Sequence, residues 1–421
     1  MIRKITLALS LVLVTYAAIL AGGVGKPDSW IVDDKGETAF VDYIALWGAG
    51  RLALQGRPAA AYDWQAHADA MSEGLGRQAQ KFPFPYPPTF LALMAPIAAL
   101  PYLQSLLVWC LGTLALYLFT LGSIVGRWEG AVWLGAMIVT LANIVAGQNG
   151  FLTAALVGGG LLLLPQRPVL AGVLIGLLSY KPHLGLLIPI ALAAGGHWRA
   201  FASAAATVIV TALAATDMFG IEPWYAFVDN LGRFGAEVAA ERFMVTGKLQ
   251  SAYGFLATLG APKGVAMAAQ AALTLSLVGL TALVWRSATP YPVKAAFLAT
   301  AAVLVSPYVF IYDLTLLAIA QAFLLRHWLE PRGLGQGAAA TQHPPHIPAS
   351  PSSAALEPAN EIGFTRREAI VLLAINTVIV SMMSITLPMG FLGSLLMLAA
   401  TMNVAWPWIW PHWIRQPLAA H

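Results

Sequence analysis

A dozen apolar runs constrain this chain more than anything else in it. They cover residues 5–22, 102–125, 130–146, 150–164, 168–180, 184–196, 200–217, 264–285, 291–306, 308–325, 368–386 and 389–408. The hydrocarbon core of a bilayer is about 30 Å thick and takes roughly 20 apolar residues as a helix. Lipid offers no partner to a free backbone amide, so spanning segments are helices or closed barrels. Runs of this length predict an all-α multi-pass membrane protein, with about 11–13 membrane helices. Several runs are short, and short broken helices persist where protein encloses them. Charged residues make up only 10% of the 421, against about 25% in a soluble domain.

The net charge of +4 therefore speaks for membrane flanks and not for a nucleic-acid partner. Arg3, Lys4, Arg127, Arg167, Arg199, Arg286, Arg326, Arg366 and Arg367 recur at alternate ends of the runs. Placing them all in the cytoplasm satisfies the positive-inside rule. The opposite ends then face outward. They are the 23–87 loop, residues 147–149, residues 181–183, the 217–262 interval and residues 306–308. The polar positions best suited to chemistry thus share one face, expected to be the periplasmic side of a bacterial inner membrane. Residues 88–100 would flip this parity if they crossed, and their reach of about 20 Å at 1.5 Å per residue predicts a short, partly inserted helix.

Three further segments complete the organisation. The start of the chain reads as an uncleaved first helix, because its apolar part exceeds a signal-peptide core. In the 217–262 interval Trp224, Phe227, Leu231 and Phe234 fall on one helical stripe, which predicts a helix lying in the interface or packed on the bundle. Residues 328–366, rich in Pro, Ala, Gly and Ser, predict a disordered cytoplasmic linker. It would separate a core over 1–327 from a final helix pair over 367–421. The single cysteine, Cys110, sits in an apolar run, so neither a disulfide nor a cysteine metal site is expected.

The longest polar interval of the first three hundred residues is 40–88. It is too long for a connector, and ordered loops of this kind carry function. Asp42, at the start of a helix over 40–55, is the candidate general base. A carboxylate near low-dielectric surroundings is pushed toward the pKa a base needs, although a plain helix cap is the other reading. Tyr43 and Trp47 are placed to stack on a sugar. Arg51 is a phosphate candidate, or a partner for Asp42 or Asp63.

Lys181 and His183 flank Pro182 at a helix break and suit a phosphate, with snorkelling of Lys181 as the alternative. Gln148 and Asn149 at another break either bind sugar hydroxyls or cap the turn. Tyr308, Tyr312 and Asp313 follow Ser306-Pro307, and Asp313 reads as a second acid or as a partner for Lys181. An outward-facing site has no nucleotide sugars at hand. Group transfer there needs a donor already in the membrane, such as a polyprenyl-phosphate sugar. No Asp-x-Asp pair occurs in the 23–87 loop, so neither a metal nor another cofactor is expected.

Together these motifs resemble glycosyltransferase family 87. The resemblance is carried by DYIALWGAGRLALQGRPAAAYD (residues 42–63), FPYPPTF (84–90), GQNG (147–150), RPVLAGVLIGLLSYKPHL (167–184) and SPY (306–308). It extends in order over about 40–325. The family is similar to a mycobacterial mannosyltransferase that extends phosphatidylinositol mannosides. The resemblance implies a GT-C type helical bundle with a large first extracytoplasmic loop containing short helices. It also implies an inverting transfer from a polyprenyl-phosphate hexose or pentose to a lipid or cell-envelope glycan. The family's base, an aspartate in the first outer loop, matches Asp42, while Tyr86 and Asp63 fall among its motif positions. Relatives carry an acid followed by histidines after the S-P pair, where this chain has Ile311-Tyr312-Asp313. That departure shifts the donor phosphate toward Lys181 and His183. A multi-pass transporter or lipid flippase is the alternative, though the internal repeats such a protein would show are not found.

Overall fold

The computed structural model describes residues 10–12, 14–16, 41–79, 81, 83–239, 248–329, 366–381 and 387–409. Most of the expected first helix, residues 23–40 of the first loop and nearly all of the 328–366 linker lie outside these. Within the first polar interval stand α1 (Val41–Leu54) and α2 (Trp64–Leu75), joined through a 3-10 turn at Pro58–Tyr62. Then come α3 (Pro88–Ala98), α4 (Tyr102–Val125), α5 (Trp128–Gly135), α6 (Ile138–Ala146), α7 (Gly150–Leu163) and α8 (Pro168–Leu177). A 3-10 turn at Leu178–Tyr180 leads into α9 (Pro182–Gly185), α10 (Ile188–Ala194), α11 (Trp198–Phe219) and α12 (Glu222–Ala239). The chain continues through α13 (Ala252–Thr258), α14 (Lys263–Arg286) and α15 (Tyr291–Leu304). A 3-10 turn at Ile311–Leu314 precedes α16 (Thr315–Leu329), and α17 (Arg366–Ser381) and α18 (Met389–Ile409) follow. Prolines open α3, α8 and α9, where their missing N–H has no helical partner to lose.

The core is the α15–α16 pair. Every residue from Ala295 to Leu304 and from Thr315 to Leu325 is buried. Around this pair pack α4, α7, α14 and α18. The fold is all-α and multi-pass. Among the described residues its only extended pairing is the bridge between Leu249 and Phe310. Among the described residues four helices, α4, α11, α14 and α18, are long and apolar enough to span a bilayer, and α5 with α6, bent by 68°, makes a fifth if the pair is counted as one span. Among the described residues full-length spans are fewer than the apolar runs. The runs at 150–164, 168–180, 184–196 and 291–306 fold as shorter helices, with α15 the most enclosed of them. Protein neighbours satisfy their broken ends, as lipid could not.

Small residues set the closest contacts. A Cβ on Gly172 would lie 2.4 Å from the Ala200 carbonyl oxygen, so α8 and α11 touch backbone to backbone. On α11, Ile209, Val210 and Leu213 point outward, the face expected to meet lipid. The 88–100 segment is a short helix, α3, packed against α1 and α11. The stripe over 217–262 lies on α12. Phe227 packs on Tyr62 at 5.9 Å, and buried Asn230 donates to the Phe84 carbonyl and accepts from the Trp64 indole. This side of α12 is docked on the first polar interval. Leu231 and Tyr225 face outward, and the side chain of Phe234 lies outside the described residues.

Candidate functional site

The GQNG break shows how the sequence builds the site. Gly147 ends α6 with φ at +62°, and a Cβ there would sit 2.6 Å from Tyr43 Cβ. Only glycine meets both demands, so the break lies directly against α1. Gly150 opens α7 under similar pressure: a Cβ would fall 2.3 Å from the Tyr312 carbonyl oxygen. Its amide donates to Asn143 Oδ1 at 3.0 Å, and Thr315 Oγ1 donates to its carbonyl at 3.0 Å. Gln148 and Asn149, both buried, are thereby held between the start of α1 and the Ile311–Leu314 turn.

A chain of polar contacts runs through this point. The Gln148 side chain hydrogen-bonds to the Asp42 carboxylate. Gln148 Oε1 accepts from the Tyr86 hydroxyl at 3.1 Å and from the Asn149 amide at 2.9 Å. Asn149 Oδ1 accepts from Lys181 Nζ at 2.8 Å. Lys181 Nζ also donates to Asp313 Oδ1 at 2.5 Å, and lies 5.0 Å from the Tyr312 ring centre. The second oxygen of Asp313 accepts from the Phe310 amide at 3.0 Å. Lys181 and Asp313 are 3% and 0% exposed. Such a pair persists only when its charges and remaining lone pairs are satisfied, as they are here.

Asp42 is the partly buried carboxylate at the end of this chain. Burial pushes its pKa up to about 6, against the opposing pull of Lys248, the Gln148 hydrogen bond and Lys181, while Asp313 adds to the rise. A carboxylate poised near neutrality is what general-base chemistry requires. Asp63 caps α2 through bonds from the Gln65 and Ala66 amides at 3.0 and 2.8 Å. An aromatic wall backs the site. Tyr86 packs on Phe90 with ring centres 4.8 Å apart, and Phe90 stacks on Tyr180 at 4.7 Å. Burial also holds the Tyr86 phenol neutral by raising its pKa.

The residues singled out in the sequence thus divide. Asp42, Tyr86, Gln148, Asn149, Lys181, Tyr312 and Asp313 meet in one network. His183 stands beside the Lys181–Asp313 pair, and its Nε2 is buried without a hydrogen-bond partner. The others have different surroundings. Arg51 pairs with Glu73 at 2.9 Å instead of with Asp42 or Asp63. Tyr43 is fully buried, bonded to the Ser105 hydroxyl and packed on Tyr102 and Trp109. Trp47 donates to the Leu100 carbonyl at 3.1 Å, and neither ring is open to a ligand. Tyr308 lies in a small cluster with Leu249, Tyr253 and Ala266.

One group of the site escaped the sequence reading. Lys248 exerts the largest charge effect on Asp42, although it belongs to no motif. Its signal was available: a lysine in an interval assigned to the outer face runs against the positive-inside pattern. Beside Pro182 opens an apolar cavity of about 360 Å³, walled by α8, α10 and α11 through residues such as Ile175, Leu192, Phe201 and Val208. Among the described residues no three of His, Cys, Asp and Glu come together as a metal would need.

Compared with known families, residues 84–307 match glycosyltransferase family 87. No curated protein and no solved structure matches the chain. The matched stretch is shorter than the 40–325 over which the motifs resemble the family, and it leaves Asp42 and Asp313 outside. It contains Tyr86, the GQNG break, whose Gln148 bonds to Asp42, and the Lys181-Pro182-His183 break. It spans just over half of the 421 residues, and the chain, a membrane glycosyltransferase, belongs to glycosyltransferase family 87.

Proposed function

We propose that this glycosyltransferase moves a hexose or pentose from a polyprenyl-phosphate donor to a hydroxyl of a lipid or cell-envelope glycan. The reaction takes place on the extracytoplasmic face of a bacterial inner membrane, with Asp42 as general base. The observation that carries this reading is the setting of Asp42: a partly buried carboxylate with pKa raised to about 6, fixed by Gln148 at the meeting point of the helix breaks. The acceptor oxygen attacks the anomeric carbon from the side opposite the phosphate. Its proton passes to an Asp42 oxygen as the new bond forms. The bond from the anomeric carbon to the phosphate oxygen breaks, and polyprenyl phosphate leaves with the electron pair. The single displacement inverts the anomeric centre.

The surroundings divide the remaining work. The unpartnered His183 Nε2 is the group available to the donor phosphate. Lys181 is committed to Asp313 and Asn149, so its charge acts from one layer behind. Arg51, engaged by Glu73, drops out of the phosphate site. Gln148, Asn149 and Tyr86 present amide and phenol groups to sugar hydroxyls. The cavity beside Pro182 is apolar and long-walled, suited to the first isoprene units behind the phosphate.

The test uses purified protein in detergent with radiolabelled polyprenyl-phosphate hexoses and a lipid extract of the source membrane. Wild type yields a labelled product and Asp42→Asn loses about 10²–10⁴-fold in rate. Equal rates in the two would move the base elsewhere.

A further inference from the structure

Residues 248–251 belong to none of the motifs, yet they are clamped from two sides. On one side Leu249 bridges to Phe310, the Gln250 amide donates to the Val309 carbonyl at 2.7 Å, and Ser251 Oγ donates to the Pro307 carbonyl at 2.7 Å. This ties the segment to the stretch that leads into Asp313. On the other side Gln250 Oε1 accepts from the Gly390 amide at 2.8 Å. Gly390 lies in the first turn of α18, where amides have no partner in their own helix. A distant glutamine therefore caps the last helix. The fit is close: a Cβ on Gly390 would lie 2.4 Å from Leu314 Cδ1 and 2.6 Å from Gln250 Oε1. Leu249 and Gln250 are buried, while Lys248 is exposed at the end of the clamp.

The groups that act on Asp42 come from several elements. Lys181 and Asp313 act in opposite directions, so the field of their tight pair largely cancels there. Tyr86 and Tyr312 are neutral phenols in the same network. Gln148 contributes a hydrogen bond. Lys248 acts more strongly than any other charge.

We propose that residues 248–251 form a tether that fixes Lys248 against Asp42, with Gln250 and the first turn of α18 as its positioning elements. The C-terminal helix thereby controls how readily Asp42 takes up a proton. The inference rests on the reading of Asp42 as the base and names what tunes it. Without Lys248 the carboxylate loses its main attraction while its burial stays. It then holds a proton at higher pH, and less of the enzyme carries a free base at neutrality.

Infrared titration of the full-length protein in detergent tests this without any substrate. The protonated-carboxyl band that vanishes in Asp42→Asn reports Asp42 directly. Lys248→Met is expected to raise its midpoint by about one pH unit, and Lys248→Arg to leave it unchanged. Gln250→Leu is expected to raise it by less. Added salt should raise the wild-type midpoint, because an exposed ammonium is screened, and leave that of Lys248→Met where it is. An unchanged midpoint in Lys248→Met overturns the proposal. An unchanged midpoint in a folded Gln250→Leu removes α18 from it. Lys248 is exposed, so its variant carries the test even if Gln250→Leu fails to fold. Transfer by Asp42→Asn would defeat the base reading and leave the titration result standing. An inactive Asp42→Asn with no shift in Lys248→Met would defeat the tether alone.

Discussion

The two ends of α1 meet different surroundings. At its start Asp42 faces Gln148, Lys248 and the Lys181–Asp313 pair, where burial raises the carboxyl pKa. About two and a half turns on, Arg51 lies over the Trp47 ring at 5.6 Å and pairs with Glu73 on α2. Both side chains of that pair are substantially exposed, at 29% and 50%. In the sequence both ends belong to one motif and both look like site residues. In the fold one end sits in the buried polar network, where we place the base, and the other lies in an exposed ion pair. An ionisable group is perturbed by what encloses it, and the enclosure comes from helices far away in the chain.

The same contrast separates the two ion pairs, and a substitution in each would break or sharpen it. The larger effect is expected for Lys181→Met, which strands the buried Asp313 charge at a cost of about 3–5 kcal/mol. Thermal unfolding should show a large drop in Tm. Lys181→Met combined with Asp313→Leu should recover part of it, because no buried charge then lacks a partner. A single variant as stable as wild type would mean that the pair is not buried as described.

The pH dependence comes next. As the proposed base, Asp42 works as the carboxylate, with a pKa of about 6. Transfer should therefore be level above about pH 7 and fall about tenfold per unit well below 6. A rate that holds to pH 4 would show that Asp42 is not enclosed as described, or not the base.

Tyr86→Phe removes the hydroxyl that donates to Gln148 and leaves the aromatic wall. The loss of one hydrogen bond of about 1 kcal/mol predicts a several-fold slower transfer with little change in Tm. The smallest effect belongs to Arg51→Met at the far end of α1. An exposed pair contributes about 0–1 kcal/mol, so rate and Tm should stay close to wild type. A large loss of transfer there would return Arg51 to the phosphate site and erase the difference between the two ends.

Much of this molecule is legible in the residue order. Apolar runs of sufficient length become helices because lipid leaves no alternative for the backbone. Breaks at residues 147–150, 181–183 and 306–308 could be read from glycine and proline, whose effects on φ are local. In the structure the breaks at 147–150 and 181–183 meet in one network with Asp42 and Asp313, while Tyr308 of the third break lies in a separate small cluster.

Other features depended on distance in space. Nothing in the sequence distinguishes Glu73 from Asp42 or Asp63 as the partner of Arg51; the docking of α2 on α1 decides it. Nothing local shows that Tyr43 and Trp47 are walled in by Ser105, Tyr102 and Leu100. The residue order leaves Asp313 as a second acid or a partner for Lys181, and the fold pairs the two across 132 positions. The difference has a physical origin. Helix formation and helix breaks follow from patterns within a few residues. The partner and the pKa of a buried charge follow from which segments the fold stacks around it, and only the tertiary structure decides that.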